Sequence, residues 1–288
     1  MLPYIHLFGT DIPMYSALAI TGAVFLTFFC VLQCRFPRKA PPAVKPYDIF
    51  YMLLYAFLGA IIGAKLLYLL TSVKVYWIPQ LDFAENMKYW LALIAGGGLV
   101  FYGGLVGALL GALRYVLHFK APVSAMLDLG FTGVPLFHAL GRIGCFMAGC
   151  CYGTEYHGAF AVTFPESNIG NAPAGEELLP VQLIEAALNL VLWAVLFVLY
   201  RRTTRRWLVS GLYLTCYGVM RFILEFFRGD IIRGSIFSLS TSQFISIFIV
   251  AAGALLLIDP KWLDKFGGKN DDIYEQQLAK QQAERTQP

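Results

Sequence analysis

Charge is what this chain lacks. Of its 288 residues, 22 are Lys or Arg and 18 are Asp or Glu, 14% together, where a soluble domain carries about 25%. That shortfall excludes a nucleic-acid binder, a disordered chain and an ordinary cytosolic enzyme. The opening MLPYIHLFGTDIP holds no Lys or Arg, so it lacks the basic n-region of a cleavable signal peptide, and the first apolar run reads as a retained helix. No internal repeat is visible, which removes the paired halves expected of many transporters. What is present is apolar: 58% of the residues are hydrophobic and the mean hydropathy is +0.63. At about 20 apolar residues per crossing, this length accommodates roughly seven passes plus loops. The fold class implied is all-α, a polytopic integral membrane protein.

Apolar runs fall near 13–33, 48–71, 91–113, 122–141, 180–200, 208–228 and 241–258. They divide the chain into a membrane domain over 1–260, with an outer loop or head segment at 142–178, and a polar tail over 261–288. The basic residues set an orientation. One side collects fifteen: Arg35, Arg38, Lys39, Lys45, Arg114, Lys120, Arg201, Arg202, Arg205, Arg206, Lys261, Lys265, Lys269, Lys280 and Arg285. The other has five: Lys74, Lys88, Arg142, Arg228 and Arg233. The bias predicts an outside N-terminus and a cytoplasmic C-terminus, in agreement with an odd number of passes.

The few charges inside the runs are the informative ones, because an ionisable group in a bilayer costs several kcal/mol and marks a site or a pairing. In GLYLTCYGVMRFILEFFRGD, the residues Tyr217, Arg221, Glu225 and Arg228 are spaced 4, 4 and 3, which predicts one helical face. Arg221 and Glu225 either neutralise each other or, with Arg228, leave a net positive stripe suited to an anionic ligand such as a phosphate. Arg142 ends the fourth run, Gln182 and Glu185 begin the fifth, and Tyr15 begins the first. Lys65 lies past the middle of the second, either joining these groups or snorkelling to the surface. All fall at one depth, near the outer leaflet, which favours a site for a lipid headgroup.

Glycines 96, 97, 98, 103 and 104 in AGGGLVFYGGLVG either break the third run or let another helix approach closely. Tyr102 stands between the two clusters. Three of the six cysteines, Cys145, Cys150 and Cys151, gather at the outer end of the fourth run. They read as a disulfide pair, as ligands of a soft metal together with His138 or His157, or as a reactive thiol beside the arginines. Cys30, Cys34 and Cys216 read as packing residues.

The stretch HALGRIGCFMAGCCYG resembles the signature of the prolipoprotein diacylglyceryl transferase family, G-R-x-G-N-F-x-N-x-E-x-x-G, keeping Gly141, Arg142, Gly144, Phe146 and Gly153. Three further blocks match in order. The sixth run supplies Tyr217, Gly218, Arg221, Glu225, Phe226, Phe227 and Arg228; P-S-Q-L-Y-E becomes Pro180, Gln182, Leu183 and Glu185; H-G-G-L-x-G becomes Tyr102, Gly103, Gly104, Leu105 and Gly107. The resemblance implies a seven-helix enzyme of the bacterial cytoplasmic (inner) membrane. It would move diacylglycerol from phosphatidylglycerol to the lipobox cysteine thiol in a prolipoprotein signal peptide, with no metal or organic cofactor and no nucleic-acid partner. On that resemblance Arg142 and Arg221 hold phosphate, and Glu225 and Arg228 support them; the shared depth adds Tyr15, Lys65, Gln182, Glu185 and Tyr217 as candidates for the substrate site.

The chain departs from the family pattern where proton transfer and hydrogen bonding are expected. The H-G-G histidine is Tyr102, the signature asparagines are Cys145 and Ala148, and the signature acid is Cys150. Tyrosine, with a reference pKa near 10, is a poor base. His138, four residues before Arg142 and so one turn below it, is a candidate base, and His157 a second. Two other readings stay open. One is a divergent paralogue using Cys150 and its neighbours for another thiol-linked lipid reaction; the other is a non-enzymatic membrane protein holding a soft metal.

Overall fold

A computed structural model describes residues 3–7, 9–36, 44–76, 82–96, 98, 100–166, 169–230, 235–236, 238–258, 272 and 276. Among the described residues, seven helices are long and apolar enough to cross a membrane: Met14–Gln33, Pro46–Ser72, Phe101–His118, Val123–Ala148, Val181–Arg202, Leu208–Phe227 and Thr241–Ile258. The elements are α1 (Met14–Gln33), α2 (Pro46–Tyr76), α3 (Phe83–Gly96), α4 (Phe101–His118), α5 (Val123–Ala148), α6 (Val181–Arg202), α7 (Leu208–Leu224) and α8 (Thr241–Ile258). Among the described residues, three two-stranded antiparallel pairs accompany them: β1 (Tyr4–Leu7) with β2 (Thr10–Pro13), β3 (Val162–Thr163) with β4 (Glu177–Leu178), and β5 (Ser235–Ile236) with β6 (Leu239–Ser240).

The third apolar run is not one helix. α3 stops at Gly96 and α4 begins at Phe101, so the crossing is α4 and the earlier part of the run is a separate helix. Glycine loses more backbone entropy in a helix than any other residue, and this one ends at Gly96. The second glycine group does the opposite work. Gly103, Gly107 and Gly111 on α4 face Gly59, Gly63 and Tyr55 on α2 so closely that a Cβ on Gly107 would overlap the carbonyl oxygen of Gly59. The two glycine readings were alternatives in the sequence, and each holds for a different set.

α5 is the most enclosed span, with over half of its apolar window buried, and it packs against α1, α6 and α7. It also runs beyond the fourth apolar run, to Ala148. Arg142 therefore lies within its last two turns rather than capping it, and the outer segment begins at Gly149 rather than at 142. Gly149 closes the helix in the left-handed region, φ 74°, where a residue without Cβ is unstrained. At the other end of α5, the buried Asp128 carboxylate accepts from both the backbone N–H and the hydroxyl of Ser210, at 2.9 and 2.6 Å. It thereby satisfies an amide in the first turn of α7. Asp128→Ala is expected to cost about 2 kcal/mol, measured as a lowered unfolding midpoint in detergent; no change would show that water replaces the carboxylate.

The ends of α5, α6 and α7 are tied together at the head by backbone. Thr154 N–H donates to the Phe227 carbonyl (2.9 Å), Gly229 N–H to Tyr152 (3.0 Å) and Leu179 N–H to Thr154 (3.0 Å). Phe164, Ala172 and Leu178 form a small core of the head, with Phe146 at the end of α5 packed against it. Arg35, Lys45, Arg114, Lys120, Arg201, Arg202, Arg205 and Arg206 all stand toward the opposite end of the bundle. Of the polar tail, Asp272 is described and pairs with Arg206 at 2.9 Å; the remainder of that reading lies outside the described residues, as do Lys74-side contacts and Arg233.

Candidate active site

Glu185 is the centre of the site. It sits in the first two turns of α6, is 1% exposed, and receives arginines from two other helices. Arg142 Nε on α5 is 2.9 Å from one carboxylate oxygen, and Arg221 Nη1 on α7 is 4.0 Å from the other. Arg221 is itself 7% exposed; its Nη2 meets Glu225 at 2.6 Å and donates to the Ser242 hydroxyl on α8 at 3.1 Å. Its Nη1 has no hydrogen-bond partner among the described residues. The i,i+4 pair foreseen between Arg221 and Glu225 is present, but it is one link in a chain of charges contributed by four elements.

Arg228 does not share the helical face. α7 ends at Leu224, Glu225–Phe227 tighten into a 3₁₀ turn, and Arg228 is extended. Its guanidinium is bidentate on Asp230 at 2.9 and 2.8 Å, with Glu225 at 3.9 Å. The expected net positive stripe is thus matched by Glu185, Glu225 and Asp230. What it offers an anion is the underused nitrogen of Arg221 beside the Arg142 guanidinium. Tyr217 lies between these charges, with its hydroxyl in reach of Arg142, Arg221 and Glu185.

His138 is one turn below Arg142, partly buried, with Nδ1 3.1 Å from the Tyr213 hydroxyl and its ring 4.8 Å from that of Tyr217. His157 differs: in the exposed head its two ring nitrogens meet Glu177 at 2.9 Å and Glu155 at 3.2 Å. The Glu177 bond, with the two carboxylates, raises its pKa and favours its protonated form, so it is a weaker candidate for a base. Tyr102, in the first turn of α4 and 37% exposed, makes no hydrogen bond or ion pair to the arginines among the described residues. Lys65 on α2 holds its ammonium 5.7 Å from the Tyr68 ring centre.

The three cysteines converge. Cys145 is in the last turn of α5; the left-handed turn at Gly149 and a second positive φ of 60° at Cys151 fold the chain back. The three sulfurs lie within 4.8 Å of one another. Hydrogen bonds from the Cys145 and Cys150 thiols, with the Arg228 and Arg142 charges, pull the Cys151 thiol well below the ordinary thiol range. The same bonds push Cys150 above it. All three are free thiols. Tyr15 is adjacent: its backbone and ring pack on Gly144, and its hydroxyl is in electrostatic reach of the three thiols and Arg142. Gln182, 1% exposed, donates to the Cys150 carbonyl at 2.8 Å rather than to the arginines. Sequence reasoning missed Ser242 and Asp230, which reach the arginines only through the fold, although Asp230 adjoins the FFRGD match. Cys30 packs in the core with its thiol on the Leu129 carbonyl, 3.6 Å.

The family model of the prolipoprotein diacylglyceryl transferases matches residues 3–259. The chain belongs to the prolipoprotein diacylglyceryl transferase family. It is 36% identical over 252 residues to the phosphatidylglycerol–prolipoprotein diacylglyceryl transferase 2 of Clostridium perfringens (strain 13 / Type A), covering 87% of this chain and 92% of that protein. It is 35% identical over 248 residues to the phosphatidylglycerol–prolipoprotein diacylglyceryl transferase of Clostridium tetani (strain Massachusetts / E88), covering 86% and 93%. The enzyme of that name from Aeromonas salmonicida (strain A449) is 32% identical over 246 residues, covering 84% of each chain. In this member of the family, then, the Arg142–Glu185–Arg221 chain stands with a thiol triad at the end of α5.

Proposed function

We propose that this protein is a phosphatidylglycerol–prolipoprotein diacylglyceryl transferase of the bacterial cytoplasmic membrane. The observation that carries the reading is the seat made by Arg142 and Arg221 on Glu185, with Arg221 Nη1 left without a hydrogen-bond partner among the described residues. Two guanidiniums fixed by a buried carboxylate are pre-organised for a phosphate, because no reorientation is needed when charge develops on the leaving oxygen. The concentration of arginine and lysine at the far end of the bundle supports a cytoplasmic location for that end. The site then faces the outer leaflet. Below Arg221, an apolar groove of about 450 Å³ between α6 and α7, lined by Leu188, Val219 and Ile223 among others, suits an acyl chain.

In this reading the lipobox cysteine of the acceptor attacks the glyceryl carbon of phosphatidylglycerol. A C–S bond forms as the C–O bond to phosphate breaks, and glycerol phosphate leaves with the bonding electrons, its charge held by Arg142 and Arg221. The thiol proton passes to His138, which stands one turn from Arg142, in preference to Tyr102, whose phenol is a poor base. Glu225, Arg228 and Tyr217 position the arginines.

Reconstitution in phosphatidylglycerol vesicles with a lipobox peptide tests this. The wild-type chain is expected to release glycerol phosphate and modify the peptide. Arg221→Ala is expected to lose at least ~100-fold in rate, the usual loss on removing one transition-state donor. A correctly inserted wild-type chain that neither modifies the peptide nor rescues a transferase-depleted strain would sink the reading. Unchanged activity in His138→Gln would take the proton from that residue.

A further inference from the structure

The reaction needs a thiolate, and the charge chain is poorly equipped to make one. Arginine accepts no proton at neutral pH, Tyr102 is 37% exposed on a helix that packs on α2, and His138 already engages Tyr213. The cysteine triad is the cluster that these roles leave unused. Its three sulfurs lie within 4.8 Å of one another. Three thiolates on one tetrahedral Zn²⁺ at 2.3 Å would be about 3.8 Å apart, so each sulfur need move by only about 0.6 Å.

The loop that carries the thiols is built rather than loose. Cys150 N–H donates to the Cys145 carbonyl at 3.0 Å, Ile169 and Gly170 N–H to the Ala148 carbonyl at 3.0 and 2.8 Å, and Ala172 N–H to Gly149 at 3.1 Å. The buried Gln182 amide fixes the Cys150 carbonyl at 2.8 Å. Gly170 lies so close to Cys150 that a Cβ there would overlap its backbone nitrogen. Cys151 is kept in the left-handed region, φ 60°, a conformation non-glycine residues hold mainly where surroundings impose it. The guanidiniums of Arg142 and Arg228 lie within electrostatic reach of Cys151, so the triad stands beside the arginines of the site.

We propose that Cys145, Cys150 and Cys151 form a three-thiolate zinc site whose fourth position takes the acceptor's cysteine. Three protein ligands and one open position are the arrangement of a reactive zinc, not of a closed structural one. Zinc is redox-inert and holds a thiolate at neutral pH, so no electron source or sink is required. The acceptor S–H gives up its proton to water, in place of His138, as its sulfur joins the metal. That sulfur then attacks the glyceryl carbon as the phosphate C–O bond breaks. The product is a thioether, a neutral and weaker ligand than a thiolate, and it leaves the metal free for the next acceptor. This inference rests on the transferase reading for the identity of the fourth ligand; the site itself does not.

The test is metal analysis and X-ray absorption on the full-length chain purified in detergent from zinc-replete cells. One zinc per chain is expected, with three sulfur neighbours at about 2.3 Å. Adding a lipobox peptide should raise the count to four, and the Cys-to-Ser peptide should leave it at three. Cys145→Ser, Cys150→Ser and Cys151→Ser should each lower bound zinc at least tenfold, with unfolding in detergent showing whether the variant is folded. A metal-free wild-type chain, a disulfide among the three thiols, or a sulfur count that ignores the peptide overturns the proposal. Full transfer by chelator-stripped enzyme removes the zinc role and leaves the transferase reading intact. Stoichiometric zinc with no transfer to any lipobox peptide leaves the three-thiolate site and removes the transferase reading together with the acceptor's place on it.

Discussion

Glu185→Gln is expected to inactivate the protein and to destabilise it at the same time. The carboxylate is 1% exposed and is, among the described residues, the only acid that both Arg142 and Arg221 approach, at 2.9 and 4.0 Å. Removing one partner of a buried ion pair leaves a desolvated charge and costs about 3–5 kcal/mol. Glutamine keeps the shape and one acceptor, so the loss reads charge rather than volume. Arg221 retains Glu225, at 2.6 Å, and therefore shifts toward it, whereas Arg142 has no second acid within salt-bridge distance among the described residues. The phosphate seat should come apart at Arg142 first. Transfer is expected to fall at least ~100-fold, with a detergent unfolding midpoint lowered in step. Pairing Glu185→Gln with Arg142→Met separates the two effects. The double variant removes the orphaned cation and should recover most of the stability, but none of the activity. Recovery of both, or a single variant that is stable and active, would show that Glu185 does not hold the arginines for catalysis.

That experiment also bears on how much of the site the sequence displays. Arg221 and Glu225 are one turn apart on a single helix, so their pairing follows from spacing alone. Glu185 was visible as a costly polar residue in a membrane helix, but which arginines it joins depends on how α6 packs against α5 and α7. Arg228 misled for a local reason. Three residues of 3₁₀ turn after Leu224 replace the last helical turn, and the 4-4-3 spacing ceases to describe a face just where Asp230 becomes available. The cysteines are a similar case. A C-x4-C-C spacing has no metal signature of its own; convergence of the sulfurs depends on two successive reversals, at Gly149 and Cys151. The seven crossings were legible because hydropathy is a property of each segment by itself. Their ends were less so, since α5 carries its helix two turns beyond the apolar run in order to meet the head.

Gly107→Leu is expected to detach the third crossing from the bundle. α4 lies chiefly against α2, and that contact is backbone on backbone: Gly103 and Gly107 face Gly63 and Gly59, with Gly111 against Tyr55. In a membrane no hydrophobic effect drives helices together, so this association depends on close packing of small residues. A leucine at 107 cannot be accommodated by a rotamer change, because the atoms its Cβ would meet are the Gly59 carbonyl itself. The helices must separate by more than an ångström, losing dispersion along both glycine ridges. The cost is expected to exceed the 1–3 kcal/mol of ordinary overpacking. Cysteines placed in pairs across α2 and α4 should cross-link in the parent and fail to do so in the variant. Gly104→Ala is the matched control. It lies one turn away on α4, but its Cβ would meet Ala60 and Ala64 at an ordinary 3.4 Å. That substitution should leave cross-linking intact and gain slightly from helix propensity. Activity in Gly107→Leu then locates the chemistry. If transfer survives with α4 displaced, Tyr102, which begins that helix, has no part in the reaction and the Arg142–Glu185–Arg221 chain suffices with its neighbours. If transfer is lost while Arg142 and Arg221 remain in place, α4 closes one side of the site, and Tyr102 is the residue on it to test next.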